Sequence, residues 1–497
     1  MKKEYRLQAL LFCAVLVIAA LISQRLYIRI DATRQQTYTL SAYTKSILDS
    51  LDGTFTITWF RSYNIDGYVP ALQYAEDLLN EYQVYAQDRC RVVYKDTAAV
   101  QPQRLQQLGF VARQIEKSSG DTKVLQNLYS GLLCEYRGES RVIPFLSDVY
   151  TIEADIARFI TEMNQDAQNR QAERSVYVAL PPDTAENQYR YVLPWLEYAG
   201  FIPILLTPPF PELKPEIPLL VIGSSYFDSG MLTATDVFIN KQGSAAFFVS
   251  ANTVDAAGTW QAVPKKGDGL LELLARSGFI LQHNLVMDPL NFRMTLPSAD
   301  RTVYEYINYP FWPQVYRQES PVIPPLLPTG KALQLFWPSE LVCTAARGKT
   351  PAAILSSSPR SVLQKPPYDT DPRGKQLAAV AASEHESFPL AAAAAGTGGA
   401  RVLVVADEYC LSTAIEFTNS DANMDLMVNA VHWLFRQDVL LELKNKQPAV
   451  LPFRFFESDT AFNRIIVFVR ILNLAVIPLL IIAAGIAAFI LHRRKPA

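Results

Sequence analysis

The chain has 497 residues, with 46 Lys+Arg against 48 Asp+Glu. That balance excludes the strongly basic surface of a general nucleic-acid binder. At roughly 100–200 residues per domain the length suggests two to three domains, and 32 prolines imply many structured turns and strand ends.

Leu7–Ser23 (LQALLFCAVLVIAALIS) carries no charge and is close to the roughly 20 residues that a spanning helix needs. Lys2, Lys3 and Arg6 precede it, and Arg25 and Arg29 follow. A cleaved signal peptide is the alternative. Ala19-Ala20-Leu21-Ile22-Ser23 makes a poor cleavage site, so an uncleaved anchor is favoured. The next stretch, TRQQTYTLSAYTKSILDSL from Thr33, predicts a helix capped by Ser41 with an apolar stripe at Ile47, Leu48 and Leu51.

Thr54–Phe60 (TFTITWF) alternates as a strand does. Pro70–Gln87 has apolar residues at helical spacing: Leu72, Ala75, Leu78, Leu79, Tyr82 and Tyr85. A strand at Cys90–Tyr94, a short helix at Gln103–Leu108 and a hairpin of Gly131–Tyr136 with Arg141–Leu146 follow. Ile152–Met163 is an amphipathic helix with Glu153 and Asp155 in its first turn, where the helix dipole favours them. This order predicts a thioredoxin-like α/β domain over 33–163. It has no Cys-x-x-Cys, so redox chemistry is not expected. Cys90 and Cys134 fall in this domain, and a disulfide between them would need Cα atoms roughly 4.4–6.8 Å apart; two reduced thiols are expected instead.

Asn164–Arg174 reads as a linker. The region 175–450 then alternates: strand Ser175–Leu180, helix Tyr189–Ala199, strand Ile202–Leu206, strand Leu219–Ile222, helix Met231–Asn240, strand Ala245–Ser250 and helix Leu270–Arg276. Such alternation predicts a mainly parallel sheet with helices on both faces. A proline-rich insertion around 288–375 breaks the rhythm with NYPFWP and VIPPLLPTG, read as extended segments; NYPFWP itself is expected to be a packed loop. Leu390–Ala400 (LAAAAAGTGGA) is expected to be a flexible loop before the buried strand Arg401–Ala406. Met424–Phe435 is a helix. Ile471–Leu491 is an uncharged run followed by His492, Arg493, Arg494 and Lys495, which predicts a second spanning helix with its far end in the cytoplasm. Two spans put both termini in the cytoplasm of an inner membrane and the bulk of the chain outside it.

These residues resemble a family. Thr33–Leu51 followed by TFTITWF resembles the opening of the gliding-motility-associated ABC-transporter auxiliary (GldG-like) family. Its Asp-x-Thr and Tyr-x-Leu-Ser patterns match Asp31, Thr33, Tyr38, Leu40 and Ser41. IPLLVIGSSYFD and the closing RVLVVADEYC…ANMDLMVNAVHWLF resemble that family's larger domain, with Asp407, Asn423, Asn429 and Trp433 at matching positions. Ala406 stands where the family has Gly. The resemblance implies that the larger domain is a class I glutamine-amidotransferase-like α/β fold, of which a similar module occurs in intraflagellar transport proteins. It also implies an extracytoplasmic auxiliary, non-ATPase subunit that works with an ABC-transporter permease and ATPase.

The fold kinship raises an enzyme alternative, a diverged hydrolase or amidotransferase relative. Such a site needs a nucleophile on a sharp turn after a strand, with an oriented base. The stretch AAFFVSANT offers only Ser250, and His283, His385 and His432 are scattered. GTGGA lacks the Gly-Lys-Ser/Thr ending of a P-loop, and no Cys/His spacing fits zinc. No catalytic residue, cofactor or metal is therefore expected. Asp407-Glu408 at a strand's carboxyl end is open to ligand binding, as in open α/β sheets, or to capping the next segment, which is preferred.

Overall fold

The computed structural model describes residues 38–446, except 64, 68, 70, 120–121, 147–148, 165–173, 183–187, 256–258, 299–302, 318–322, 325, 328–330, 347–350, 375–384, 396–398 and 419. The two apolar runs at 7–23 and 471–491, with Asp31 and Thr33, lie outside the described residues. Among the described residues no helix is long and apolar enough to cross a membrane.

The first helix, α1 (Ala42–Asp49), begins where Ser41 accepts a hydrogen bond from the Thr44 backbone N–H, and it turns Thr44 and Leu48 inward. There follow β1 (Phe55–Arg61), α2 (Leu72–Ala86), β2 (Cys90–Asp96), α3 (Pro102–Gln107), the paired β3 (Arg113–Ser119) and β4 (Thr122–Leu128), then β5 (Ser130–Tyr136), β6 (Glu139–Ile143) and α4 (Ile152–Asn164). The main sheet runs β2-β1-β5-β6. β1 is parallel to β2 and antiparallel to β5. A central strand is covered on both faces, and Phe55, Ile57, Trp59 and Phe60 of β1 are all buried.

Cys90 lies opposite Phe55 and Cys134 opposite Ile57, on the two flanks of β1. Two strand spacings separate them by roughly 10 Å, beyond disulfide reach, and both thiols are free. Burial pushes the Cys90 thiol up to about 12.

The second region contributes β7 (Ser175–Ala179), α5 (Val192–Tyr198), β8 (Ile202–Leu205), β9 (Leu219–Ile222), α6 (Ser229–Asn240), β10 (Ala245–Phe248), β11 (Asn252–Val254), β12 (Ala262–Pro264) and α7 (Gly269–Arg276). The insertion supplies β13 (Phe279–Met287), β14 (Asn291–Pro297), β15 (Tyr304–Tyr316), β16 (Ala332–Gln334), β17 (Ser339–Cys343), β18 (Ala352–Ser356) and β19 (Val362–Gln364). β20 (Pro389–Ala395), β21 (Arg401–Val405), α8 (Ala422–Leu434) and α9 (Asp438–Lys444) close the fold.

A seven-stranded sheet has the order β18-β20-β21-β10-β9-β7-β8. Its five strands from β21 to β8 are parallel, whereas β20 and β18 are antiparallel. The sheet is therefore mixed, with an antiparallel edge that the insertion helps to build. Leu390–Ala395, expected as a loop, lies within β20. Ala391 and Ala393 pack into one core and Ala392 and Ala394 into the other. Small residues buried on both faces leave no periodic signal, so such a strand reads like a loop. NYPFWP likewise lies within β15. Tyr309, Phe311 and Trp312 are buried against Trp260, Phe336 and Trp337.

The first region meets the end of the second along α4. Glu153 is almost fully buried. Its carboxylate accepts from the Ser41 N–H at 2.7 Å, the Thr44 hydroxyl at 2.8 Å and the Lys446 ammonium at 2.8 Å. Lys446 also donates to the Thr39 carbonyl. Ala154 and Ala157 pack on Leu440 and Leu443, flanked by Tyr43 and Ile47. Farther along α4, Glu162 accepts from Arg158 at 3.0 Å and Arg141 at 3.4 Å.

Removing one member of a buried ion pair strands the other. Glu153→Ala is expected to cost about 3 kcal/mol, read as a lower midpoint in urea unfolding of the purified protein. His432 gives a second expectation. It is buried, with Nδ1 2.6 Å from the Gln437 side-chain oxygen and its ring against Phe201. Burial first, and Lys444 second, hold its pKa well below the usual histidine value. A depressed folded-state pKa means that the unfolded chain binds the proton more readily. The stability is therefore complete above the unfolded value near 6.5 and is lost as pH falls below it. Between pH 7 and 5 the wild type should lose up to about 1.4 kcal/mol per pH unit more than His432→Gln does, as measured by urea unfolding at each pH.

Candidate functional site

Strand order reverses between β7 and β9: the chain passes from β7 outward to β8, then crosses back to β9 on the other side. In an open α/β sheet the crevice at the carboxyl ends of the strands beside such a reversal is where ligands bind. Gly223-Ser224 after β9, Ser250 after β10 and Asp407-Glu408 after β21 form that edge here. Gly223 has φ +74°, and a Cβ there would stand 3.2 Å from Pro181 Cγ, so the turn needs glycine.

A buried polar cluster fills this edge. The Lys265 Nζ is 2.7 Å from Glu408 Oε2 and donates at 3.0 Å to the Ser224 hydroxyl. Ser224 in turn donates to Asp268. The other Asp268 oxygen caps α7 by accepting from the Leu270 and Leu271 N–H groups at 3.1 and 3.2 Å. Burial pushes the Glu408 carboxyl up, and the Lys265 charge draws it part of the way back. Tyr226 lies over the same turn. Its hydroxyl oxygen is buried without a partner among the described residues, and burial with the Glu408 charge raises its pKa well above the usual phenol value.

Ser250 is fully buried. Its hydroxyl accepts from the Glu408 N–H at 2.9 Å, and its own N–H points to Glu408 Oε2 at 3.3 Å. His283 comes within one residue of it, but Nδ1 is 3.0 Å from the Ala251 carbonyl, so that nitrogen carries the proton and donates. His385 is exposed, in the segment beyond β19, and His432 lies on α8. Asp407 is fully buried. It accepts from the Tyr409 N–H at 2.7 Å, which caps the following turn, and from the Phe336 N–H at 2.6 Å. Burial outweighs these bonds and raises its pKa well above the usual carboxylate value. Cys410 is buried beside it and donates to the Asp407 carbonyl at 3.2 Å.

Of the remaining motif positions, Asn423 stands beside this edge and the others lie apart from it. The Asn423 amide exchanges hydrogen bonds with Gln334 and donates to the Cys410 carbonyl. Asn429 donates to the Leu326 carbonyl at 2.9 Å and accepts from Lys444 at 3.1 Å. Trp433 is buried under the Arg401 guanidinium. Tyr38 packs edge-on against Tyr74, Leu40 is buried, and Ser41 caps α1. Sequence reading missed Ser224, Lys265 and Asp268. Asp268, directly before an apolar helical run, was the available signal, since aspartate is a preferred N-cap; Lys265 follows no motif.

A family model described as an ABC-type uncharacterized transport system matches residues 165–430, more than half of the chain. A domain family of unknown function matches residues 34–135. An uncharacterized protein of Borreliella burgdorferi (strain ATCC 35210 / DSM 4680 / CIP 102532 / B31) is 23% identical over 287 residues, covering 56% of this chain and 55% of that protein. The matched part thus spans about half the length of that relative.

Lys265 and Glu408 are both buried, with side chains 4% and 11% exposed. Lys265→Met should cost about 3 kcal/mol by leaving the carboxylate unpaired, and adding Glu408→Gln should recover much of it. A double-mutant cycle in urea is expected to give a coupling of at least about 1 kcal/mol.

Proposed function

The chain belongs to the family described as an ABC-type uncharacterized transport system, and on that premise we propose that it is the membrane-anchored, non-ATPase auxiliary subunit of such a complex, acting as an extracytoplasmic interaction module. The family match carries this reading. The proposed partners are a cytoplasmic ATPase and a multi-span permease, held within reach by anchors at 7–23 and 471–491, with both termini in the cytoplasm. The resemblance of the opening and closing motifs to the GldG-like family supports the same assignment.

Two finer fold readings accompany it. The β2-β1-β5-β6 order, with β1 and β2 parallel and the β5–β6 hairpin antiparallel, supports a thioredoxin-like first domain. The parallel run β8-β7-β9-β10-β21 supports kinship of the second with amidotransferase-like α/β folds.

The protein works through partners, without catalysis of its own. The charged groups at the sheet edge favour this reading because they are matched to one another: Lys265 to Glu408 and Ser224, and Asp268 to Ser224 and the start of α7. The Ser250 hydroxyl is spent on the Glu408 backbone. Mild-detergent purification of the tagged chain from native membranes should recover an ABC ATPase and a permease together. Ser250→Ala should lower stability by about 1 kcal/mol through the lost hydrogen bond and leave recovery of both partners unchanged. A chain recovered alone, with function abolished by Ser250→Ala, would support the enzyme alternative instead.

A further inference from the structure

We propose that the end of the molecule built from α1, α4 and α9 is the face that abuts the membrane-embedded subunit of the complex. This rests on the auxiliary-subunit reading and adds which surface makes the contact. The described chain begins at Tyr38 and ends at Lys446, and both ends are at Glu153. The Ser41 N–H and the Lys446 ammonium bind its carboxylate, and Lys446 also reaches the Thr39 carbonyl. Outside these ends lie the two uncharged apolar runs, 7–23 and 471–491. Residues 24–37, even fully extended, reach roughly 50 Å. By sequence, the first run is joined to this end through residues 24–37 and the second through residues 447–470.

The chemistry of this end suits a protein rim. Anionic lipid surfaces select clusters of unengaged lysine and arginine. Five basic groups here are engaged within the chain: Lys45 lies over Tyr85, Arg89 pairs with Asp49, Arg401 with Asp438, Lys444 bonds Asn429 and Lys446 bonds Glu153, while Arg436 before α9 is exposed. Between them Ala42 and Ser46 of α1 and Val439 and Glu442 of α9 are exposed on helices fixed from beneath by Ala154, Ala157, Leu440 and Leu443. These exposed residues are of mixed polarity, with one carboxylate among them.

The competing surface is the β14–β15 hairpin, where Tyr304 and Tyr306 are 74% and 79% exposed. The test introduces the photo-crosslinker p-benzoylphenylalanine into the full chain in native membranes, at Ser46, at Glu442 or at Tyr306. Adducts with an integral membrane polypeptide are expected at 46 and 442 and not at 306. Adducts at 306 alone, while ATPase and permease still co-purify, would overturn the assigned face and leave the auxiliary reading standing. Adducts at 46 and 442 with lipid only would also overturn it. No protein adduct at any position together with no co-purified partner would remove both readings.

Discussion

A carboxylate withdrawn from water is costly unless charge and hydrogen bonds replace its hydration. Glu153 is so withdrawn, and its replacements come from both ends of the described chain: Ser41 and Thr44 near the beginning, Lys446 at the end. The α1 cap depends on this site, because the backbone of its N-cap residue is one of the donors. The docking of α9 on α4 depends on it too, since Lys446 lies just beyond α9 and a displaced α9 would leave ammonium and carboxylate buried apart. One residue thereby sets how the first region closes and where the last helix lies.

The same logic recurs at the carboxyl edge of the large sheet. Lys265 comes from the segment between β12 and α7, and Glu408 from the turn after β21. Asn423 and Asn429 pin α8 to the insertion through the carbonyls of Gln334 and Leu326. The motif positions of the closing segment are thus buried cross-links between parts of the chain distant in sequence. Asp407 stands at the sheet edge itself and Asn423 beside it, bonded to the Cys410 carbonyl, while Asn429 and Trp433 lie farther along α8.

Elements with one dominant period were legible in the sequence. The α1 cap, the helices Leu72–Ala86 and Ile152–Asn164, and the strand Leu219–Ile222 follow directly from spacing and capping. What was not legible lacked a period. β20 is alanine buried on both faces, and β15 carries prolines and aromatics that in isolation read as a loop. The β3–β4 hairpin, RQIEKSS paired with TKVLQNL, is too polar to declare a buried face. The sheet edge was half legible. Asp407 and Glu408 are marked by their place after a buried strand, but their partners lie far off in sequence: Phe336 for Asp407 and Lys265 for Glu408. Without an alignment, nothing local ties such pairs together.

The two polar centres differ in what they join. At the sheet edge Lys265, Ser224, Asp268 and Glu408 satisfy one another, and the Tyr226 hydroxyl beside the same turn is buried without a partner among the described residues. The Glu153 centre is different in kind. It joins Ser41, near the first described residue, to Lys446, the last, through a single carboxylate.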